Sequence, residues 1–405
     1  MILTFEQALE TVREKISAVP LSIATEILPL EKVRGRILAE DAKADRDYPP
    51  FDRSARDGFA LRASDLDQVP AMIERRGEVQ AGGHFDGAIG PGECVSIMTG
   101  APVPAGADAV VMVEHTETSG SRITILEKVA RFANIISKGS EAPRGKRVLS
   151  CGQGLGPAEI GLLASIGMAQ VKVFRQLRVA ILTTGDELVA VDQAPEWFQI
   201  RNSNSYLLAA QVTEAGGVPE IIGVSPDRSE SLRRFLEQGV KADLLVISGG
   251  VSAGKYDLVE QELAALGAEF YFEGARIRPG KPVVFGRARE KFFFGLPGNP
   301  VSTFVTFELF VRPAMAMLSG AGFAQPVFLR ARLSQPLSHK PDLTMFTPAH
   351  VRRANGEPEV DLVSWQGSGD LAGLAAANCF AISHPDQPAP GAGDWADVLL
   401  IHHKS

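Results

Sequence analysis

Three cysteines in 405 residues, Cys94, Cys151 and Cys379, are too few, too widely spaced and odd in number for a disulfide framework or a CxxC zinc site. They read as reduced core residues. Histidine is scarce as well, and the pair His402 and His403 has no third ligand in sight, so it resembles a disordered tail more than a metal site. Positive charge is not in excess: 41 Lys and Arg stand against 48 Asp and Glu, for a formal net charge of -7. That balance leaves no broad basic face for general nucleic-acid binding, although local basic clusters remain. No apolar run looks long enough to span a bilayer, which speaks against a membrane protein. Met1 to Ile16 carries Glu6, Glu10 and Glu14 and lacks the basic and apolar blocks of a signal peptide, so a cytoplasmic protein is expected. What is present is ordinary for a globular chain, 45% hydrophobic and 22% charged, and its length suits two to four domains.

Within it, Ala242 to Asp257 (ADLLVISGGVSAGKYD) joins an apolar run to a glycine turn and ends in an acid. Leu244 to Ile247 has the pattern of a parallel strand buried on both faces. Ser248, Gly249 and Gly250 break it, and Leu258, Val259, Leu263 and Leu266 then recur near helical spacing. Strand, glycine loop and helix form an anion-site geometry. Gly249, Gly254 and Lys255 fit a phosphate loop G-x-x-x-x-G-K-[ST], but Tyr256 stands where the small Mg²⁺-binding hydroxyl belongs, which counts against a P-loop nucleotidase. Asp257, with Glu260 three residues later, offers a capping box.

Taken in order, Thr4 to Ala18 predicts an amphipathic helix with Phe5, Ala8, Leu9, Val12 and Ile16 on one face and Thr4 with Gln7 as cap. The paired prolines of Tyr48 to Arg53 (YPPFDR) give an extended crossing near a domain boundary. In Arg53 to Gly58 (RSARDG), Asp57 is a turn former or a ligand. From Phe59 to about Ile136, β-branched residues, glycine and proline indicate a small β-rich domain, with Thr99 on a tight turn at a strand end. Gly139 to Gly145 reads as a polar loop, with Arg144, Lys146 and Arg147 as a short basic cluster. After Gly156, Pro157 can open a helix whose apolar face is Ile160, Leu162, Leu163 and Ile166. This helix is expected to join the N-terminal one, which makes the first domain discontinuous.

From Arg178 strands and helices alternate. Val179–Leu182, Val218–Val224, Leu244–Ile247 and Phe292–Phe294 read as strands, with helices at Ser205–Glu214, Ser229–Gln238, Leu258–Leu266 and Val301–Leu318. The pattern predicts a doubly wound α/β domain whose ligand lies beyond the carboxyl ends of the strands. The loops that matter are then Thr183 to Leu188 (TTGDEL), Ser248 to Asp257, and Leu296 to Ser302 (LPGNPVS). In the last, Asn299 is expected to cap, Pro300 to take the first helical position, and free backbone N–H groups to face an anion. Glu187 serves a helix dipole or a site. Arg276, Arg278 and Lys281, around the Pro279-Gly280 turn, form a solvated face or an oxyanion grip. Past Gln325, short β-like runs at Val327–Leu333, Met345–Val351 and Val360–Val363 indicate a separate small β domain. A glycine-serine loop, Ser364 to Asp370 (SWQGSGD), precedes a short helix at Leu371–Asn378. The expected domains are 1–46 with 147–177 (helical linker), 47–146 (inserted β-rich), 178–325 (α/β) and 326–405 (small C-terminal β domain).

SARDGFA, MTGAPVP, TTGDEL, NSN at Asn202 to Asn204, SGGVSAGKYD, RPGKP, LPGNPVS and GSGDL occur in this order over nearly the whole chain. As a set they resemble the molybdopterin molybdenumtransferase family, the MoeA and gephyrin E-domain type. The resemblance implies a helical-plus-β first domain with an inserted β domain, a molybdopterin-binding α/β domain and a C-terminal β barrel, in an elongated homodimer that inserts molybdate into adenylylated molybdopterin, with Mg²⁺ as the metal and release of AMP. It implies transient contact with the molybdopterin adenylyltransferase and with molybdoenzyme maturation factors. It assigns Asp57, Thr99, Glu187, Asp227 and Asp257 as polar and acidic site residues, with Glu187 and Asp257 on Mg²⁺ or orienting substrate. Asp57 and Thr99 would come from the other subunit. Arg278 and Lys281 would hold the oxyanion. Ser252 and Asn299 would serve the pterin phosphate region, with Ser248, Gly249, Gly250, Pro297 and Gly298 in the same substrate loops. Ser368 would be a contact from the last domain.

The chain also departs from the family pattern. Arg278 stands where lysine is usual, and Arg56 where an apolar residue is usual. Asn134 to Ala142 (NIISKGSEA) replaces an arginine-rich stretch ending in Glu-Asp. Ile136 supplies no cation, Glu141 sits where aspartate is usual, and Lys138 is left to attract anions. A non-catalytic molybdopterin-binding or assembly paralogue is therefore the alternative reading.

Overall fold

The structure, a computed structural model, describes residues 1–20, 23–250, 258–354 and 356–401. His402 and His403 lie outside them. The chain divides into two compact units, one made of Met1–Ile27, Gly35–Ala39 and Lys172–Ser405, the other of Leu28–Arg34 and Glu40–Val171.

In the first unit Phe5–Ser17 forms α1, and Arg178–Thr184 (β1), Asn204–Glu214 (α2), Val218–Ser225 (β2), Ser229–Gly239 (α3), Leu244–Ser248 (β3) and Leu258–Ala265 (α4) alternate as expected. Glu269–Phe272 (β4), Val284–Ala288 (β5) and Lys291–Leu296 (β6) complete one sheet in the order β2-β1-β3-β6-β5-β4. The first four strands of that order are parallel, while β5 pairs antiparallel with β6 on one side and with β4 on the other at one edge. Side chains on a strand alternate between faces, and here both faces are covered. Val179, Ile181, Leu244, Val246, Phe292 and Phe294 pack on one side with Leu208 and Val212 of α2. Ala180, Leu182, Leu245, Ile247 and Phe293 pack on the other with Leu232 and Leu236 of α3 and Val259 and Leu263 of α4. Burial on both faces is why these strands read as unbroken apolar runs, and each such Leu or Phe contributes about 1.5–3 kcal/mol. The chain leaves β1 toward β2 on one side, then returns through α3 to β3 on the other. The crevice beyond the carboxyl ends of β1 and β3 is the place such a sheet offers to a ligand.

The expected helix after Asn299 is not continuous. Pro300–Thr306 (α5) passes through a π-helical segment, Phe307–Val311, into Arg312–Leu318 (α6). At 19 residues it is long and apolar enough to cross a membrane, which corrects the reading that no apolar run is long enough. With 89% of its most apolar 18 residues buried, it is a core helix.

α1 carries its capping box, with Gln7 N–H donating to Thr4 Oγ1 at 3.2 Å and Thr4 N–H to Gln7 Oε1 at 3.1 Å. Phe5 packs against the rings of Phe310, Phe328 and Phe346, with centroids 6.0, 6.2 and 6.0 Å away. Because its apolar face is spent in that core, α1 belongs to the first unit. The helix Pro157–Ser165 lies in the second.

Phe328–Leu333 (β7), Thr344–Ala354 (β8), Glu357–Leu362 (β9), Cys379–Ser383 (β10) and Trp395–Leu400 (β11) pair in the ring β8-β9-β7-β11-β10-β8. Closure removes open sheet edges. Ala331, Leu333, Ala349, Val360, Cys379, Ala381 and Val398 fill the interior. Leu371–Ala376 (α7) precedes β10 and ends earlier than expected because Ala377 is already extended.

The second unit holds a six-stranded sheet, Ala109–Met112, Gly58–Leu61, Glu93–Ile97, Ala71–Val79, Arg122–Ile125 and Thr116–Ser119 in spatial order. Its core is built from Phe59, Leu61, Leu66, Ile73, Val111 and Ile123. Pro157 opens its helix as expected, and Glu159 accepts the Gly156 N–H at 3.0 Å. All three cysteines are free. Burial pushes the thiols of Cys94 and Cys379 up to about 12, but Cys151 is exposed, not a core residue.

Candidate functional site

A cavity of about 730 Å³ opens beyond the carboxyl ends of β1 and β3. Its floor is a network of side-chain amides and hydroxyls. Asn202 Nδ2 donates to Thr183 Oγ1 at 3.1 Å and to Ser205 Oγ at 2.8 Å. Asn204 Nδ2 donates to Ser248 Oγ at 2.8 Å and to the Gly298 carbonyl at 2.7 Å. Thr303 Oγ1 donates to the Pro297 carbonyl at 2.6 Å. One asparagine thus ties the start of α2 to both the SGG turn and the LPGNP loop. Asn204 Oδ1 and Thr184 Oγ1 are buried without a protein partner, and both residues line the cavity. A buried acceptor left unpaired costs about 1–3 kcal/mol, so these two atoms are suited to donors on a ligand.

The SGG turn requires glycine. Gly250 has φ +64°, and a Cβ there would fall 2.6 Å from Thr184 Oγ1. Gly249 N–H donates to the Leu296 carbonyl at 3.1 Å, which fastens the turn to the end of β6.

Pro300 takes the first turn of α5 as expected, but the Asn299 side chain does not cap the helix. Its Nδ2 donates to Ser368 Oγ at 3.0 Å, and the Val301 N–H donates to the Ser368 carbonyl at 2.9 Å. The GSGD loop therefore satisfies a helix-end donor that was expected to face an anion. Asp370 shapes this loop by accepting the N–H groups of Gly373 and Gln366, each at 2.9 Å, and those bonds hold its carboxyl below the usual aspartate value. Ser368 meets the cavity's wall in this way, and Gly369 and Leu371 line it.

Glu187 and Asp227 line the acidic side. Asp227 N–H donates to Asp186 Oδ1 at 3.1 Å. Burial, then the charges of Asp186 and Glu187, push the Asp227 carboxyl above its ordinary pKa. Glu187 leads into the short strand Leu188–Val189, not a helix, so the dipole reading falls. Lys281 also lines the cavity, whereas Arg278, exposed on the strand Ile277–Arg278 beside β8, is not among the lining residues. Ser248, Gly249, Gly250, Pro297, Gly298 and Asn299 are brought together. Ser252, Asp257, the Lys255-Tyr256 pair and the Asp257–Glu260 capping box fall outside the described residues. Among the described residues no three His, Cys, Asp or Glu side chains form a metal-binding group. Thr184 and the role of Asn204 went unread in the sequence, although an Asx run between a strand and a helix on the ligand side of the sheet was the available signal.

In the second unit, Thr99 donates both its N–H, at 2.7 Å, and its hydroxyl, at 2.8 Å, to Asp57 Oδ1. Gly58 follows because a Cβ there would lie 1.9 Å from the Val111 carbonyl oxygen. The Thr99 N–H, then its hydroxyl, hold the Asp57 carboxyl below its usual value. Lys138 pairs with Asp47 at 3.6 Å and Arg53 with Glu141 at 2.7 Å, while exposed Arg56 has no carboxylate partner among the described residues.

A polar cavity at the switch point of a doubly wound sheet, with a barrel loop on its wall, defines a ligand-binding α/β protein of several domains. Residues 3–167 match the MoeA N-terminal region (domain I and II), residues 180–317 a probable molybdopterin binding domain, and residues 330–401 the MoeA C-terminal region (domain IV). The chain is 36% identical over 389 residues to a molybdopterin molybdenumtransferase of Nostoc sp., covering 93% of this chain and 88% of that one. It is 34% identical over 406 residues to that of Haemophilus influenzae, covering 99% of each. A crystal structure of the molybdopterin biosynthesis MoeA protein from Pyrococcus horikoshii OT3 is similar with a TM-score of 0.83 at 30% identity, over 99% of this chain and 100% of that one. The chain belongs to the molybdopterin molybdenumtransferase family.

Proposed function

We propose that the protein inserts molybdate into adenylylated molybdopterin, completing the molybdenum cofactor and releasing AMP. The observation that carries this reading is the convergence, on one cavity, of the Asn204-centred hydrogen-bond network, the unpartnered acceptors Asn204 Oδ1 and Thr184 Oγ1, and the carboxylates Glu187 and Asp227. The acceptors take ring N–H donors of a pterin. Lys281 supplies positive charge for a phosphate or molybdate oxyanion.

The donor chemistry fits Mg²⁺. Glu187 and Asp227 are hard oxygen donors, and the raised pKa of Asp227 reflects burial first and then the neighbouring charges of Asp186 and Glu187, which a cation would relieve. Mg²⁺ commonly uses one or two carboxylates, with water and substrate phosphate completing the shell. Glu187 would hold it, with Asp227 beside it and Asp257, outside the described residues, as the further candidate. When bound, the metal neutralises phosphate oxygens and makes AMP a better leaving group. Glu187 and Asp227 orient that charge, and Asn204 and Ser248 keep the substrate loops in register.

The protein acts in the cytoplasm as a homodimer, with Asp57 and Thr99 of one copy serving the cavity of the other. It receives substrate through transient contact with the molybdopterin adenylyltransferase and passes product to molybdoenzyme maturation factors. The test is AMP release from adenylylated molybdopterin by the purified protein. Release is expected only with both molybdate and Mg²⁺ present; a wild-type protein that releases none sinks the proposal.

A further inference from the structure

The helix that begins at the cavity wall leaves α-helical geometry where two helices exchange buried polar side chains. Gln211, 3% exposed and two turns along α2 from Asn204, donates Nε2 to Glu308 Oε1 at 2.7 Å and to the Phe304 carbonyl at 3.2 Å. Arg312 grips Glu308 with Nε and Nη2, at 2.5 and 3.0 Å, and reaches Glu214 Oε2 at 3.3 Å. Glu308 sits inside the π-helical segment, where the Arg312 N–H reaches back five residues to the Phe307 carbonyl. At the mouth of that segment the Phe307 N–H is shared between the carbonyls of Thr303 and Phe304, and the Gln211 amide supplies the second donor to Phe304.

This arrangement is a poor choice for stability alone. Gln211 Oε1 is buried without a partner, a cost that a methionine of the same length and shape would avoid. What the amide provides is direction, since it fixes α2 along and around the wider turn. Both helices start at the cavity: α2 with Asn204, which holds Ser248 and Gly298, and α5 just after Asn299, which holds Ser368.

We propose that Gln211, acting with Glu308 and Arg312, is a positioning residue that sets the register of α2 against the π-turn and so the separation of Asn204 and Asn299 at the cavity. The inference rests on the cavity being the molybdopterin site, and its readout is binding, so that it stands apart from turnover.

The test titrates molybdopterin into wild type, Gln211→Met and the exchange variant Gln211→Glu/Glu308→Gln, with thermal melting alongside. Gln211→Met strands neither partner, because the Phe304 carbonyl keeps the Phe307 N–H and Glu308 keeps Arg312. It is expected to melt at or above the wild-type temperature yet bind about tenfold more weakly, since small displacements of site groups are costly. The exchange variant restores an amide–carboxylate pair with the roles reversed but turns a carboxylate toward the Phe304 carbonyl, so it is expected to melt below wild type and yet bind more tightly than Gln211→Met. Wild-type affinity in Gln211→Met overturns the proposal, as does an exchange variant that folds and binds as weakly as Gln211→Met. If the methionine variant fails to fold, a folded exchange variant with wild-type affinity supports the pairing and a weak one rejects it. Absence of AMP release by wild type with tight molybdopterin binding would defeat the proposed reaction and leave this test intact.

Discussion

Asp57 and Thr99 lie 42 positions apart, yet a single carboxylate oxygen of Asp57 accepts both the Thr99 amide and the Thr99 hydroxyl, at 2.7 and 2.8 Å. The pair presents one fixed, exposed acid at the end of a strand. If the two residues act as a unit, their losses do not add. Asp57→Ala and Thr99→Val are each expected to lower kcat/KM about 10-fold to 100-fold, with the double variant close to the worse single one. Additive losses in that double-mutant cycle would show that they act separately.

The same two bonds give Asp57 a pH signature. Donation by the Thr99 N–H and then its hydroxyl favours the carboxylate, so the folded-state pKa lies below the usual 3.8. A depressed carboxyl contributes stability that is present above the unfolded-state pKa and lost as pH falls through the folded-state one. The Asp57–Thr99 contact should therefore persist from neutrality down past pH 3.8 and break only below it. Thr99→Val should move the Asp57 titration upward toward that value, followed by NMR of the carboxyl carbon. An unmoved titration contradicts the assignment of cause.

Asn204 joins three loops through one amide group. Asn204→Ala leaves Ser248 and the Gly298 carbonyl without that donor and is expected to cost about 1–3 kcal/mol in urea unfolding. Asn204→Asp should be worse at neutral pH, because a carboxylate brings only acceptors toward a carbonyl oxygen. Equal stability of the aspartate variant and wild type would remove Asn204 from its central place.

Gly250→Ala tests the floor directly. The substitution meets a φ of +64° and Thr184 Oγ1 at 2.6 Å, whereas Gly82→Ala meets a φ of +84° with open space around it. Both carry backbone strain, of order 1 kcal/mol. Gly250→Ala is expected to lower the melting temperature further and to weaken molybdopterin binding, while Gly82→Ala leaves binding alone. Equal effects would mean that the SGG turn does not depend on its closeness to Thr184.

Much of this site could be read before the fold was seen, for physical reasons that particular residues make plain. Leu244–Ile247 and Val179–Leu182 are buried on both faces, so their apolar runs announce parallel strands, and the glycines after them announce the ligand edge. The edge strands were not legible, because β4 is only four residues long and Gly286 with Arg287 interrupts the apolar pattern of β5. The π-turn was hidden since Phe307 to Val311 keeps the hydrophobicity of its neighbours while its hydrogen bonds shift. Asn299 misled because a cap and a loop clamp use the same side chain in the same place. Only the approach of Ser368, from the far end of the sequence, decides between them.

The central claim is that chemistry takes place in the cavity at the ends of β1 and β3. Its most direct test is the yield of active molybdenum cofactor from adenylylated molybdopterin and molybdate, read by activating a cofactor-free molybdoenzyme, for wild type against Glu187→Ala. Wild type should activate it and the variant should fall by about 100-fold while still binding molybdopterin within a few-fold. A Glu187→Ala protein that forms cofactor at the wild-type rate would contradict the account.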